Sequence, residues 1–103
     1  MFERISIAEA ARLIDEEAAI VADIRDPATF SQGHIKGAVR LDNLNLAEFL
    51  ATADKSKPLV VCCYHGNSSQ GAADVLNQQG FERSYSMDGG MSEWVITREV
   101  VSE

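Results

Sequence analysis

Short apolar runs alternate along the chain with stretches of helical periodicity. Segments of strand length occupy residues 18–24, 37–41, 59–63 and 83–87. The third run is apolar at every position, which is typical of a central strand covered on both faces. Strands that alternate with helices in this way form α/β domains. The pattern therefore predicts a single-domain α/β fold with a mostly parallel sheet and helices on both faces.

Capping residues mark where the helices begin and end. Ser6 followed by Glu9 is a capping box, which predicts a helix from there to about residue 16. Asp26-Pro27 supplies an N-cap and a first-turn proline, and Gly33 ends that short helix. The same kinds of signal predict three further helices: from Asn45 to about residue 53, from Ser68 to Gln79, and after Gly89-Gly90.

Length and charge limit the classes of partner. A chain of 103 residues predicts one domain over residues 1–103, with its core at about 4–98. Nine basic against sixteen acidic residues give a net charge of −7, which disfavours nucleic acid and anionic membrane surfaces as partners. The longest apolar run, Leu59–Tyr64, is far shorter than the roughly twenty residues of a membrane helix. We expect neither a nucleic-acid nor a membrane partner.

The two cysteines, Cys62 and Cys63, are adjacent and predict a reducing compartment. A disulfide framework needs well-separated pairs, and Met1–Arg4 has no feature of a secretory signal. We therefore expect a cytoplasmic protein. Successive strand residues face opposite ways, which argues against a zinc site containing both cysteines. No metal and no cofactor are expected, and Cys62 is expected to point into the core.

The segment after the central apolar run carries the candidate chemistry. Cys63 ends the strand, and Gly66 and Asn67 tolerate unusual backbone angles. Ser68 or Ser69 is expected to cap the helix that follows. A short loop of this kind can turn several N–H groups inward as an anion-binding nest. The thiolate would lie at the positive end of a helix, which lowers a cysteine pKa and predicts a nucleophile.

The run Cys63-Tyr64-His65-Gly66-Asn67-Ser68-Ser69 resembles the active-site loop of the rhodanese sulfurtransferases. Three other segments are similar to the same family: residues 21–26, 33–38 and 87–94. The resemblance implies a five-stranded parallel sheet with helices on both faces. It also implies that the cysteine loop lies at one end of that sheet.

The resemblance further implies a reaction. Cys63 would attack the sulfane sulfur of thiosulfate, release sulfite and become a persulfide. The sulfur would then pass to cyanide or to a thiol acceptor such as reduced thioredoxin. Cys63 would be the nucleophile, and the backbone of five residues would form the cradle: Tyr64, His65, Gly66, Asn67 and Ser68. Many two-domain members have two basic residues where this chain has Tyr64 and His65, so we expect weak binding of the thiosulfate dianion.

Three other functions remain open from the residues. A cysteine phosphatase needs an arginine six residues after its nucleophile, where this chain has Ser69, and no arginine lies between Leu41 and Glu82. A catalytically inert interaction module is the second alternative. A redox or arsenate-type thiol enzyme is the third, although Cys62 would face away from Cys63.

Six residues outside the loop are predicted to be structural. Asp23 and Arg25 lie on the same side of the chain and are expected to anchor the loop framework by hydrogen bonds or charge pairing. His34 is expected to stabilise a turn and Trp94 to belong to the core. Gly89-Gly90 predicts a tight turn into the last helix.

Overall fold

The computed structural model describes residues 1–102, in which strands and helices alternate. In chain order the elements are β1 (Glu3–Ile5), α1 (Ile7–Glu17), β2 (Ile20–Asp23), α2 (Pro27–Gln32), β3 (Val39–Arg40), α3 (Leu46–Thr52), β4 (Leu59–Cys62), α4 (Ser68–Gln78), β5 (Ser84–Met87) and α5 (Gly90–Thr97). The five strands form one parallel sheet in the order β1-β5-β4-β2-β3. The α/β prediction is confirmed.

Strand β4 lies at the centre of the sheet, between β2 and β5. All four of its residues have no exposed surface. The chain adds β3 beyond β2 on one side and adds β5 next to β4 on the other. The direction of winding therefore changes between β2 and β4. In open α/β sheets, ligands bind beyond the carboxyl ends of the strands at such a point, and the segment that begins with Cys63 follows β4 there.

Side chains of β4 alternate between two cores. Val60 and Cys62 pack with Leu13 of α1 and Trp94 of α5 on one face of the sheet. The other face has its own cluster, which includes Leu59, Val61, Phe49, Leu76 and Phe81. The continuous apolar run therefore reflects burial on both faces, as predicted, and Cys62 lies in the first core.

The helix caps are confirmed at two of the predicted positions. Ser6 Oγ accepts a hydrogen bond from the Glu9 N–H at 3.1 Å, and Asp26 accepts one from the Thr29 N–H at 3.1 Å. Asn45 is the N-cap residue of α3, but its side chain accepts from the Asp42 N–H instead of capping the helix.

Strand β1 has no counterpart among the predicted elements. Within residues 1–102 it pairs only with β5, so it forms an edge of the sheet. Glu3 and Arg4 are exposed, and the strand has three residues. A strand of this kind leaves no apolar run in the sequence, because most of it does not face a core.

The turn into α5 joins that helix to the segment after β4 through backbone hydrogen bonds. The Met91 N–H donates to the Cys63 carbonyl at 2.8 Å, and the Ser92 N–H donates to the Tyr64 carbonyl at 2.9 Å. Gly90 has φ +62°, and a Cβ there would lie 2.5 Å from the Tyr64 carbonyl oxygen. Both the dihedral angle and the close approach require glycine.

We predict that Gly90→Ala lowers the free energy of unfolding by about 2 kcal/mol or more, because the added methyl group meets backbone in a strained conformation. Gly71→Ala is the matched control. Gly71 lies in α4 with no atom within 4 Å of an added Cβ, so alanine should stabilise the helix by about 0.5–1 kcal/mol. Urea unfolding measures both. Equal stabilities of Gly90→Ala and the parent would contradict the close approach.

Candidate active site

The Cys63 sulfur lies inside the loop between β4 and α4. The Gly66 N–H donates to Sγ at 3.1 Å, and the Ser69 N–H donates at 3.3 Å. The Ser69 hydroxyl oxygen lies 3.3 Å from the same sulfur. Cys63 is only 5% exposed. The sulfur is therefore surrounded by hydrogen-bond donors in a site that excludes most water.

These contacts separate the two cysteines chemically. Burial raises the pKa of the Cys63 thiol, but hydrogen bonds from the Ser69 hydroxyl and from the N–H groups of Ser69, Gly66 and His65 lower it by more, so the net pKa is below its ordinary value. Burial, and next the charge of Asp23, raise the pKa of Cys62 well above its ordinary value. Cys63 is the cysteine that carries the larger thiolate fraction near neutral pH.

Ser69 has a different position from the one predicted. The N-cap residue of α4 is Asn67, and no side chain caps the helix, so the expectation that Ser68 or Ser69 caps it is wrong. The Ser69 hydroxyl is turned inward and lies 2.8 Å from Ser86 Oγ as well as next to Cys63. The sequence signal for this inward position is that Ser69 follows the cysteine by six residues and lies in the first turn of a helix.

The other loop residues predicted for the site face outward. Asn67 and Ser68 are exposed, as are Tyr64 and His65. Among residues 1–102, only the Gly66 and Ser69 N–H groups make regular hydrogen bonds to the Cys63 sulfur. The His65 N–H is close enough to contribute to the lowered pKa of Cys63. The structure brings Gly66 and Ser69 closest to the sulfur.

Tyr64 and His65 form an exposed aromatic pair. Their rings stack with centroids 4.8 Å apart and an interplanar angle of 24°. His65 Nδ1 lies 3.2 Å from Ser92 Oγ, and the Ser92 hydroxyl donates to the Gly89 carbonyl at 3.0 Å. The contact with Ser92 holds the imidazole beside the first turn of α5.

The Asp23–Arg25 pair anchors the end of β2 next to the loop. Arg25 Nη2 donates to Asp23 Oδ2 at 2.7 Å, and Arg25 Nε donates to Oδ1 at 3.0 Å. The same Nη2 donates to the Gly33 carbonyl at 2.8 Å. Asp23 has no exposed surface. The predicted charge pairing is present, and it ties the strand end to the end of α2. A cleft of about 330 Å³ lies between Arg25, Tyr64 and Ser92.

His34 and Trp94 have structural contacts. The His34 ring stacks on the Phe30 ring with centroids 3.8 Å apart, and His34 Nδ1 is hydrogen-bonded to the Phe30 carbonyl at 2.7 Å. Trp94 is 6% exposed, and its indole N–H donates to the Glu99 carbonyl at 3.0 Å.

Over residues 1–102 no three His, Cys, Asp or Glu side chains are grouped to hold a metal ion. None of the helices described has the length and hydropathy to cross a membrane.

Comparison with known proteins identifies the family. The family model of the rhodanese-like domain matches residues 6–97 of the sequence, and the chain belongs to this family. The predicted core limits of about 4–98 stay a prediction. A protein of Pseudoalteromonas translucida named thiosulfate sulfurtransferase GlpE is 50% identical over 93 residues, which cover 90% of this chain and 89% of that protein. The protein of the same name from Pseudomonas aeruginosa strain LESB58 is 54% identical, over 90% of this chain and 84% of its own length.

Solved structures show the same fold. The crystal structure of a rhodanese-related protein from Thermoplasma volcanium superposes with a TM-score of 0.83 at 28% identity, covering 99% of this chain and all of that one. The solution structure of the rhodanese-like domain of an Anabaena protein gives 0.84 at 23% identity, covering 100% of this chain and 81% of that one. The resemblance inferred from the sequence is confirmed for both family and fold.

We predict that the Cys63 thiol titrates below the ordinary value of about 8.5 for a free cysteine. The rate of alkylation by iodoacetamide, followed against pH in Cys62→Ser, measures this. The Cys63→Ser variant is the control and should react slowly, because Cys62 is buried and its pKa is raised. An inflection at or above the ordinary value in Cys62→Ser would contradict a thiolate stabilised by the loop.

Proposed function

We propose that this chain catalyses the transfer of the sulfane sulfur of thiosulfate through a persulfide on Cys63. Its relatives of about 50% identity over 90% of the chain are named thiosulfate sulfurtransferases, and this chain is a sulfurtransferase of the same kind. The observation that carries the proposal is the position of Cys63 Sγ, which accepts hydrogen bonds from the Gly66 and Ser69 N–H groups at 3.1 and 3.3 Å.

The first half of the reaction forms the persulfide. The Cys63 thiolate attacks the outer sulfur of thiosulfate, a new S–S bond forms, and the bond to the sulfonate sulfur breaks. Sulfite leaves with the electron pair of that bond, and the negative charge of the thiolate now lies on the outer persulfide sulfur. Because one anion replaces another, the site must stabilise negative charge throughout the step. Fixed N–H groups can do this without rearrangement.

The cradle is divided between inner and outer donors in this proposal. The Gly66 and Ser69 N–H groups hold Sγ itself, and the start of α4 adds the positive end of its dipole. The N–H groups of the remaining loop residues would bind the outer sulfur: Tyr64, His65, Asn67 and Ser68. These four residues lie on the exposed side of the loop, where a substrate would arrive.

The second half returns the enzyme to its thiolate form. Cyanide or an acceptor thiolate attacks the outer sulfur, the S–S bond breaks, and thiocyanate or the acceptor persulfide leaves. We propose reduced thioredoxin as an example of such a thiol acceptor, in the cytoplasm. Both cysteines are unpaired, which suits a reducing compartment. The chain is proposed to need no cofactor, nucleic acid or membrane.

The competing functions have less support. A phosphatase loop needs an arginine that grips three phosphate oxygens, and Ser69 stands in its place. Arg25, near the loop, is already paired with Asp23 at 2.7 Å. An inert interaction module does not need a cysteine with a lowered pKa, whereas hydrogen bonds from the loop lower the pKa of Cys63 against the effect of burial.

We predict that Cys63→Ser abolishes transfer of sulfur from thiosulfate to cyanide, because a serine hydroxyl cannot hold a sulfane sulfur. Cys62→Ser should keep most of the activity, because Cys62 faces the core. Mass spectrometry after thiosulfate treatment should find one added sulfur atom on the Cys63 peptide, which cyanide removes. Equal loss in both variants, with both folded by circular dichroism, would overturn the assignment.

We predict that His65→Gln raises KM for thiosulfate about two- to fivefold, because a histidine can carry a positive charge near neutral pH and this side chain is exposed on the side of the loop where the dianion would arrive. The effect on kcat should be smaller, since the attraction is made before and during the reaction alike. High salt should weaken the effect by screening. Steady-state kinetics at low and at high salt is the measurement. An unchanged KM at low salt would leave only the backbone to bind the substrate.

A further inference from the structure

Two fully buried serines connect the candidate nucleophile to strand β5. Ser69 Oγ lies 3.3 Å from Cys63 Sγ and 2.8 Å from Ser86 Oγ. Neither serine has any exposed surface. Among residues 1–102, the one hydrogen-bond partner of the Ser86 hydroxyl is Ser69 Oγ. The chain of contacts therefore runs from the sulfur to Ser69 and ends at Ser86.

The direction of these hydrogen bonds depends on the charge of the sulfur. When Cys63 is a thiol, three protons share two contacts. If the S–H donates to Ser69 and Ser69 donates to Ser86, the Ser86 proton has no acceptor among these groups; if Ser69 donates to the sulfur, the S–H proton has none. When Cys63 is a thiolate, Ser86 donates to Ser69 and Ser69 donates to the sulfur. Both hydroxyl protons are then used. Because an unused buried donor costs free energy, the pair of serines favours the thiolate.

We propose that Ser86 is a positioning residue that, by donating to Ser69 Oγ, directs the Ser69 hydroxyl proton toward the anionic sulfur of Cys63. The proposal rests on the proposed role of Cys63 as the nucleophile. Among residues 1–102 the Ser86 hydroxyl makes no hydrogen bond to the sulfur, so it acts through Ser69. A hydrogen bond to a charged group is about twice as strong as one between neutral groups, so the alignment of the Ser69 proton matters most in the thiolate state.

The substitution Ser86→Ala removes none of the other titratable or charged groups around the loop. They are Tyr64 and His65 in the loop, Cys62 in β4, Asp23 with Arg25 at β2, and Asp88 and Glu93 at the turn into α5. Asp23 is paired with Arg25 at 2.7 Å, and Asp88 is paired with Arg4 at 2.8 Å. A change in titration caused by Ser86→Ala therefore reports on the hydroxyl groups and not on a charge.

Ser84 provides a matched control on the same strand. It lies two residues before Ser86 and is 2% exposed. Its hydroxyl donates to the Ala73 carbonyl of α4 at 2.7 Å, and over residues 1–102 it makes no hydrogen bond with Ser69. Ser84→Ala removes a buried hydroxyl from β5 just as Ser86→Ala does. A general effect of loosening β5 against α4 would appear in both variants, whereas an effect on the sulfur should appear only in Ser86→Ala.

The experiment compares Ser69→Ala, Ser86→Ala, the double variant and Ser84→Ala, each in the Cys62→Ser background. The rate of alkylation of Cys63 by iodoacetamide is followed against pH. We expect Ser69→Ala to lower the rate at pH 7 about tenfold and Ser86→Ala about threefold, with inflections at higher pH than the parent. Ser84→Ala should titrate like the parent. The double variant should match Ser69→Ala, because Ser86 acts through Ser69.

Folding of each variant is checked by circular dichroism and thermal unfolding. Ser86→Thr keeps a hydroxyl on a side chain suited to a strand and should titrate close to the parent. If Ser86→Ala does not fold, Ser69→Ala and Ser86→Thr replace it in the test. The proposal would be overturned if Cys63 in Ser69→Ala titrates like the parent. It would also be overturned if the titration of Cys63 shifts in folded Ser86→Thr. Parental titration of folded Ser86→Ala, equal shifts in Ser84→Ala, or an additive double variant would overturn it as well.

Alkylation needs no thiosulfate, so the two proposals can fail separately. A parent that titrates as expected but transfers no sulfur would overturn the proposed function and leave the arrangement of the serines intact. A parent that transfers sulfur through Cys63, with titration independent of Ser86, would overturn the role of Ser86 alone.

Discussion

The hydrogen bonds from Gly66 and Ser69 to the Cys63 sulfur depend on how closely two backbone turns approach each other. Gly66 has φ +91°, and a Cβ there would lie 2.9 Å from the Gly89 nitrogen and 3.0 Å from the Met87 carbonyl oxygen. The turn after β4 and the turn after β5 therefore approach each other backbone to backbone at Gly66. This contact requires neighbouring parallel strands that end at the same level, which the pairing of β4 with β5 provides. The sheet thus fixes the distance between the sulfur and its donors.

The site stabilises an anion with dipoles instead of a positive side chain. Burial alone would raise the pKa of Cys63, as it does for Cys62. The difference comes from strand alternation: Cys62 faces a core and the charge of Asp23, whereas Cys63 faces N–H groups and a hydroxyl. In a chain of net charge −7, the general field repels anionic substrates. Donors at hydrogen-bond distance therefore have to supply the stabilisation, and in the interior their effect is little reduced by water.

Much of the fold follows from local patterns, and the parts that do not are set by long-range contacts. The two-sided burial of β4 and the caps at Ser6 and Asp26 are visible in the sequence because they arise from neighbouring residues. Strand β1 is an exposed edge and leaves no apolar signal. The position of Cys63 at a strand end is readable too. The contact between Ser69 and Ser86 is not, because it joins residues 17 apart through the register of β5 against α4, which the spacing of side chains along the chain does not determine.

The division between backbone donors and exposed side chains has a consequence for selectivity. The groups that touch the sulfur are the N–H groups of Gly66 and Ser69 and a buried hydroxyl. Substituting Tyr64 or His65 leaves those groups in place, because both side chains point to solvent and their contacts, with each other and with Ser92, lie outside the cradle. In the proposed function, the chemistry at the sulfur and the choice of donor or acceptor can therefore change independently. In this chain the stacked pair of Tyr64 and His65 occupies the exposed side of the loop, which therefore presents aromatic faces in place of the permanent charge of a lysine or an arginine.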